Sequence, residues 1–187
     1  MSGLTLAYAD PPYLGCAELY PEHPESWRWD DPQSHADLLA QLDCDYDGWA
    51  YSLSSTSLST LLPLAPEGTR IASWVKPFAA FKKNVRIAYT WEPVFFKPGR
   101  DSSKLGAPVG RDHLAESITL KKGLTGAKPD RFNEWVLDLL GFIPGDEVID
   151  LFPGTGGMGR AVSRIEYQAS LEGLTLDFAA APAVESP

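Results

Sequence analysis

Asp10-Pro11-Pro12-Tyr13 follows a short apolar run, Leu4–Ala9, and places a carboxylate, a rigid backbone carbonyl and an aromatic ring within four residues. Prolines cannot donate to a strand ladder, so the tetrapeptide is expected in a turn at that strand's carboxyl end. Such a turn suits one kind of chemistry. An aromatic amino group is a poor nucleophile because its lone pair is delocalised into the ring. Two acceptors, the Asp10 carboxylate and the Pro11 carbonyl, can bind its two hydrogens and favour a pyramidal nitrogen with an available lone pair. Pro11 and Pro12 fix the carbonyl direction at little entropic cost. Tyr13 offers a stacking face for a base drawn out of its helix. Taken alone, the tetrapeptide is more often an ordinary proline turn, and its weight comes from a second turn late in the chain.

That second turn lies in VIDLFPGTGGMGRAV, with glycines at 154, 156, 157 and 159 between an expected strand and an expected helix. Glycines there allow a tight turn in which backbone approaches a ligand and helix N–H groups point at it. Ligands of open α/β sheets bind at the carboxyl ends of strands, where this turn belongs. No Lys-Ser/Thr follows the glycines, so this is not a phosphate-cradling loop of the Walker type. A dinucleotide would also fit it, and a turn that binds nothing is the plain alternative.

The elements that must hold these turns follow from pattern. Leu4–Ala9 and Trp49–Leu53 read as short strands, as do Arg70–Val75, Ala88–Phe96 and Glu147–Phe152, rich in β-branched and aromatic residues. Ser34–Leu42 reads as a helix capped by Ser34, and helix-like spacing runs up to Leu62. Asp130–Leu140 reads as an amphipathic helix ended by Gly141 and Pro144, and Met158–Arg164 as the helix after the glycine turn. Leu174–Phe178 is read as one last strand. Residues 14–32 and 97–127 read as loops, the second long enough to be functional. Strands alternating with helices predict an α/β fold with a mostly parallel sheet. A single domain over 1–178 with a flexible tail at 179–187 accounts for the length.

The formal net charge is −9, which argues against a nucleic-acid partner, but its distribution argues for one. Residues 70–131 hold 13 Lys and Arg against 5 Asp and Glu, whereas residues 1–69 hold 1 against 11 and residues 132–187 hold 2 against 9. A phosphate backbone responds to the local field rather than to the total. Lys97, Arg100, Lys104, Arg111, Lys121 and Lys122 are the candidate phosphate contacts; a solvated basic loop is the alternative. Cys16 and Cys44 have no zinc-ligand spacing and are too few for a disulfide framework, so no metal site is expected. No stretch approaches the roughly 20 apolar residues of a membrane span. The N-terminus lacks a basic region and a cleavage site, so a cytoplasmic location is expected. Histidines 23, 35 and 113 are scattered and receive no role.

Together the two turns resemble those of the amino-group nucleic-acid methyltransferases, the adenine-N6 and cytosine-N4 enzymes with an Asp/Asn/Ser-Pro-Pro-aromatic motif. Asp10–Tyr13 matches the catalytic motif, and Asp150-Leu151-Phe152-Pro153-Gly154-Thr155-Gly156 resembles the family's Asp-Pro-Phe-x-Gly-Ser-Gly cofactor motif, with Leu151 in place of Pro. Lys128-Pro129 resembles the Lys-Pro element before it, and Trp74-Val75-Lys76 and Trp91-Glu92-Pro93 resemble strand segments of DNA adenine methylases and their RNA relatives. The likeness spans residues 4–165, in the motif order of the permuted branch.

The resemblance implies a Rossmann-like methyltransferase sheet, mostly parallel with an antiparallel strand, in three α/β/α layers and abbreviated at the C-terminus. It implies S-adenosylmethionine (SAM) as cofactor, held by Lys128, Asp150, Phe152, Pro153, Gly154, Thr155 and Gly156, with Glu166 or Asp177 as the acid for its ribose. It implies a nucleic-acid substrate, DNA favoured over RNA and adenine N6 over cytosine N4, with a homodimer or a specificity partner allowed. Trp27 and Trp29 are read either as lining a base pocket or as packing residues. Glu92 is read either as a buried paired carboxylate or as a pocket acceptor. Methylation of a protein glutamine and a catalytically silent subunit that keeps the fold are the competing functions.

Overall fold

Strand β1 (Thr5–Ala9) and strand β2 (Gly48–Ser52) are apolar almost throughout and buried on both faces, as central strands of a sheet covered on two sides must be. The computed structural model describes residues 3–20, 25–78, 85–100, 109–118 and 127–179. Among them six strands form one sheet in the order β5-β3-β4-β2-β1-β6, with β3 Arg70–Val75, β4 Trp91–Lys97, β5 His113–Ala115 and β6 Glu147–Asp150. β1 pairs in parallel with β2 and β6, and β3 with β5; β4 runs antiparallel to both its neighbours. One strand therefore opposes the other five, and the sheet is the mostly parallel one the sequence predicts.

Two apolar cores lie on opposite faces. Leu6, Tyr8 and Phe96 point to one face and meet helix α3 (Asp130–Leu140) and helix α4 (Gly157–Ala179). Ala7, Trp49, Tyr51 and Phe95 point to the other and meet α1 (Pro32–Asp45) and the short α2 (Leu58–Leu61). The period-2 alternation of each strand thus builds three layers. Helix α3 occupies the predicted residues. It buries Phe132, Val136 and Leu140, and it stops where Gly141, at φ 71°, donates to Asp138 while Phe142 donates to Leu137. That pair of bonds closes a Schellman turn.

Three expectations need correction. Helix α1 begins earlier than Ser34: Asp31 accepts from the Gln33 N–H and Pro32 opens the first turn, so Asp31 is the cap. The stretch 97–127 is not all loop, because Lys97 closes β4 and His113–Ala115 adds an edge strand to β3. The last strand at Leu174–Phe178 is absent, and those residues continue helix α4 to Ala179. Residues 180–187 of the expected tail lie outside the described residues. No helix of the described residues is long and apolar enough to cross a membrane.

Candidate active site

β1 and β6 are parallel neighbours, with Tyr8 opposite Asp150, and the Leu151 N–H donates to the Tyr8 carbonyl. This register sets the Asp10–Tyr13 turn and the glycine turn side by side at the same end of the sheet. It is also the point where the strand order reverses, since the chain leaves β1 toward β2 and returns on the other side as β6. Both turns open on one cavity of about 940 Å³, at the upper end of the range for small-molecule sites. Asp10, Pro12, Lys128 and Asn133 line it, with Asp150 and the stretch Leu151–Thr155.

The glycine turn is shaped by backbone conformation. Gly154 at φ 43° and Gly156 at φ 72° occupy the left-handed region that side chains disfavour. Asp150 accepts from the Phe152 N–H at 3.2 Å, and Gly156 donates to the Pro153 carbonyl, which leads the chain into α4. Burial raises the pKa of Asp150, its Phe152 bond opposes the rise, and the Asp10 charge adds to it. A Cβ on Gly157 would lie 2.7 Å from the Asn133 amide, so the helix start is pressed against α3.

The Asp10–Tyr13 turn is bound into a charged cluster drawn from four parts of the chain. The Lys128 ammonium donates to both Asp10 oxygens, at 2.9 and 2.8 Å, and to the Tyr13 hydroxyl at 3.0 Å. That hydroxyl donates to Glu92 at 2.8 Å, and Lys76 donates to the other Glu92 oxygen at 2.7 Å. Lys128 and Lys76 are 9% and 8% exposed, Asp10 and Glu92 21% and 19%. Burial raises the pKa of Asp10, with Lys128 pulling against it. Burial would lower Lys128, but the charges of Asp10 and Glu92 outweigh it and hold the ammonium above its ordinary value. Burial would likewise raise Glu92, and Lys128 and Lys76 hold it below. The carboxylate of Asp10 keeps lone pairs beyond those Lys128 occupies and faces the cavity, so it can accept from an amine.

The structure brings Asp10, Pro12, Lys128, Asp150, Phe152, Pro153, Gly154 and Thr155 to one cavity. It decides the reading of Glu92, which is a paired carboxylate. It also gives Lys128 a partner the sequence does not reveal: the side chain is neither solvated nor pointed at open space but ion-paired to Asp10. Trp29 lines the cavity and packs edge-on against Phe152, whereas Trp27 is exposed. His35, given no role from sequence, is buried. It bonds to the Tyr51 hydroxyl and the Trp29 carbonyl, tying that wall to the sheet. Burial lowers its pKa, so its two ring nitrogens act as one donor and one acceptor. Asn133, also missed, lies on α3 four residues after Pro129 and donates to its carbonyl.

Three of the six proposed phosphate contacts lie among the described residues. Lys97 pairs with Asp43 at 2.7 Å, opposite Trp49, at the end of the sheet away from the Asp10–Tyr13 turn. Arg100 forms a two-toothed pair with Asp146 ahead of β6, at that same far end, and donates to the Gly141 carbonyl. Burial would raise Asp146, but Arg100 and the N–H groups of Leu4 and Ile143 hold its pKa down to about 2. Arg100 therefore has a structural partner in Asp146. Arg111 is exposed, and Lys104, Lys121 and Lys122 lie outside the described residues. Of the two acids expected at the ribose, Glu166 is exposed on α4 and does not line the cavity, and the side chain of Asp177 lies outside the described residues. Cys16 and Cys44 form no disulfide. Among the described residues no cluster of His, Cys, Asp and Glu could hold a metal.

No family model matches the chain, and a search of curated proteins finds no match. Solved structures do match. The chain is similar to M1.HpyAVI in a crystal structure of its complex with SAM, at 17% identity and a TM-score of 0.55, covering 88% of this chain and 79% of that one. A further crystal structure of M1.HpyAVI matches at 17% identity and a TM-score of 0.51, covering 88% and 78%. At this identity the likeness is one of fold. The sheet of mostly parallel strands between helical layers is a Rossmann-like methyltransferase fold.

Proposed function

We propose that the chain is a SAM-dependent methyltransferase acting on an exocyclic amine of a nucleic-acid base, with adenine N6 in DNA the first candidate. One observation carries the reading: the Asp10–Tyr13 turn and the glycine turn share a single cavity at the reversal point of the sheet. The cavity suits SAM. Its volume accommodates a nucleoside with an amino-acid arm, its floor is glycine backbone, and Asp10 and Asp150 supply negative charge for a cationic sulfur centre. The likeness to M1.HpyAVI, whose crystal structure contains SAM, supports the same choice. The basic excess of residues 70–131 supports a nucleic-acid substrate.

SAM, when bound, supplies an electrophilic methyl group. Asp10 and the Pro11 carbonyl accept the two amine hydrogens and turn the nitrogen lone pair outward. The lone pair would then be free to accept the methyl group as its bond to sulfur is given up, and the amine proton released would pass to Asp10 or water. Lys128 keeps Asp10 ionised and oriented, and Tyr13, its hydroxyl tethered, presents its ring to the base. Glycine backbone, Asp150 and Phe152 hold the cofactor side of the cavity. An acceptor used mainly in the transition state acts on kcat more than on KM.

Nucleoside mass spectrometry of DNA and RNA incubated with the chain and SAM tests this. The wild-type chain should yield N6-methyladenine in DNA. Asp10→Ala should lose on the order of 10²–10³ in rate, by analogy with removal of a transition-state hydrogen-bond partner, while calorimetric SAM affinity stays nearly intact. Asp10→Asn should be milder, because its amide oxygen still accepts. N4-methylcytosine or a methylated RNA nucleoside would redirect the substrate. SAM binding with no methylated nucleoside would favour the silent subunit.

A further inference from the structure

Methyl transfer to an amine needs one acceptor carboxylate, yet the cluster holds two carboxylates and two ammonium groups. Lys128 creates the difficulty. It fixes Asp10, but it also sets a buried positive charge beside the place where a cationic donor and an amine gaining positive charge must meet. Glu92 stands 3.8 Å from the Lys128 nitrogen and receives the Tyr13 hydroxyl, so its negative charge lies directly behind Lys128 and Tyr13. Lys76 contacts the other Glu92 oxygen and lies over the Trp74 ring at 5.3 Å. The antiparallel pairing of β3 with β4 delivers both residues. Trp74 faces Glu92 across the ladder, and the Lys76 N–H donates to the Thr90 carbonyl just beyond it.

Resting on the methyl-transfer reading, we propose that Glu92 and Lys76 are positioning residues that set the charge of the transfer site. Glu92 offsets the Lys128 ammonium, so that the site tolerates a cationic methyl donor, and the Lys76 ammonium on the other Glu92 oxygen tempers that offset. Stability alone is a weak reason for the pair, because buried ion pairs are often no more stabilising than apolar residues of similar volume. An electrostatic role has a signature that a structural one lacks. Removing the carboxylate and removing the ammonium must act with opposite sign on a charged ligand and leave its neutral counterpart alone.

S-adenosylhomocysteine provides that counterpart, since it lacks the methyl group and the sulfonium charge. Calorimetry with the full chain should show Glu92→Gln weakening SAM on the order of tenfold relative to S-adenosylhomocysteine, the effect of a unit charge across a partly screened site. Lys76→Met should shift the ratio severalfold the other way, in favour of SAM. Lys76→Gln makes the same test if the methionine variant does not fold, and circular dichroism checks each chain. The inference is overturned if both substitutions weaken SAM, or if SAM and S-adenosylhomocysteine shift together. A folded wild-type chain that binds neither compound sinks the SAM reading first and this inference with it.

Discussion

Lys128→Met is the most exposing perturbation, because it leaves two carboxylates to share one remaining ammonium. The lysine nitrogen makes three hydrogen bonds, two to Asp10 and one to Tyr13, from a side chain that is 9% exposed. Breaking a fully buried pair by removing one partner costs about 3–5 kcal/mol. Asp10 keeps a fifth of its surface in solvent, so screening reduces this to about 2–4 kcal/mol at neutral pH. In a chain of this size that corresponds to a fall in Tm of roughly 4–16 °C.

The cost should depend on pH, and the sign follows from proton linkage. Burial already raises Asp10 above its ordinary 3.8, and Lys128 opposes that rise. In the variant the opposition is gone and the folded pKa climbs further. The folded chain then binds a proton that the unfolded chain has released, so stability falls as pH rises from about 4 through the raised folded value. Urea denaturation of both chains at pH 5.5 and pH 8 checks this: the gap should be wider at pH 8. An equal gap at the two values, or none, would refute the Asp10–Lys128 pairing as the anchor of the site.

Tyr13→Phe should fall between wild type and Tyr13→Ala in turnover and in KM for nucleic acid, because the hydroxyl bonds to Glu92 and Lys128 as well as carrying a ring for stacking. Wild-type kinetics in the phenylalanine chain would leave stacking as the residue's whole role. Gly156→Val should weaken SAM binding in calorimetry by roughly ten- to a hundredfold. Its cause would be φ 72°, which a β-branched residue resists at about 1–3 kcal/mol, since the nearest atom to an added Cβ is 3.6 Å away; unchanged affinity in a folded chain would make the turn purely structural. Arg100→Ala should cost about 3–5 kcal/mol by orphaning Asp146, yet leave the salt dependence of DNA binding unchanged. A flatter salt slope would return Arg100 to the phosphate contacts. Lys121→Ala with Lys122→Ala should flatten that slope, measured by fluorescence anisotropy across a salt series.

What the sequence makes legible here is whatever local chemistry dictates. Gly141 ends α3 because the next step needs a left-handed residue, and prolines end β1 because they cannot extend a ladder; both are readable within a few positions. Asp31 outcompetes Ser34 as a cap because Pro32 suits the first helical position, a cue only two residues wide. Failures arise where a neighbour in space decides. Three residues, His113–Ala115, become a strand because β3 offers an open edge, and no periodicity of their own marks them. Leu174, Leu176 and Phe178 alternate as a strand would. A helix already nucleated at Gly157 propagates through them, because extending a helix costs far less than starting one. The site shows the same division. Its two turns are motifs, each contained in a few residues. Its electrostatics join Asp10 to a lysine 118 positions away and to a glutamate on another strand, and only the parallel register of β1 and β6 and the antiparallel pairing of β3 and β4 bring those charges together. Charge counting along the chain therefore located a basic segment but could not tell a phosphate contact from the counter-ion of Asp146 or of Asp10.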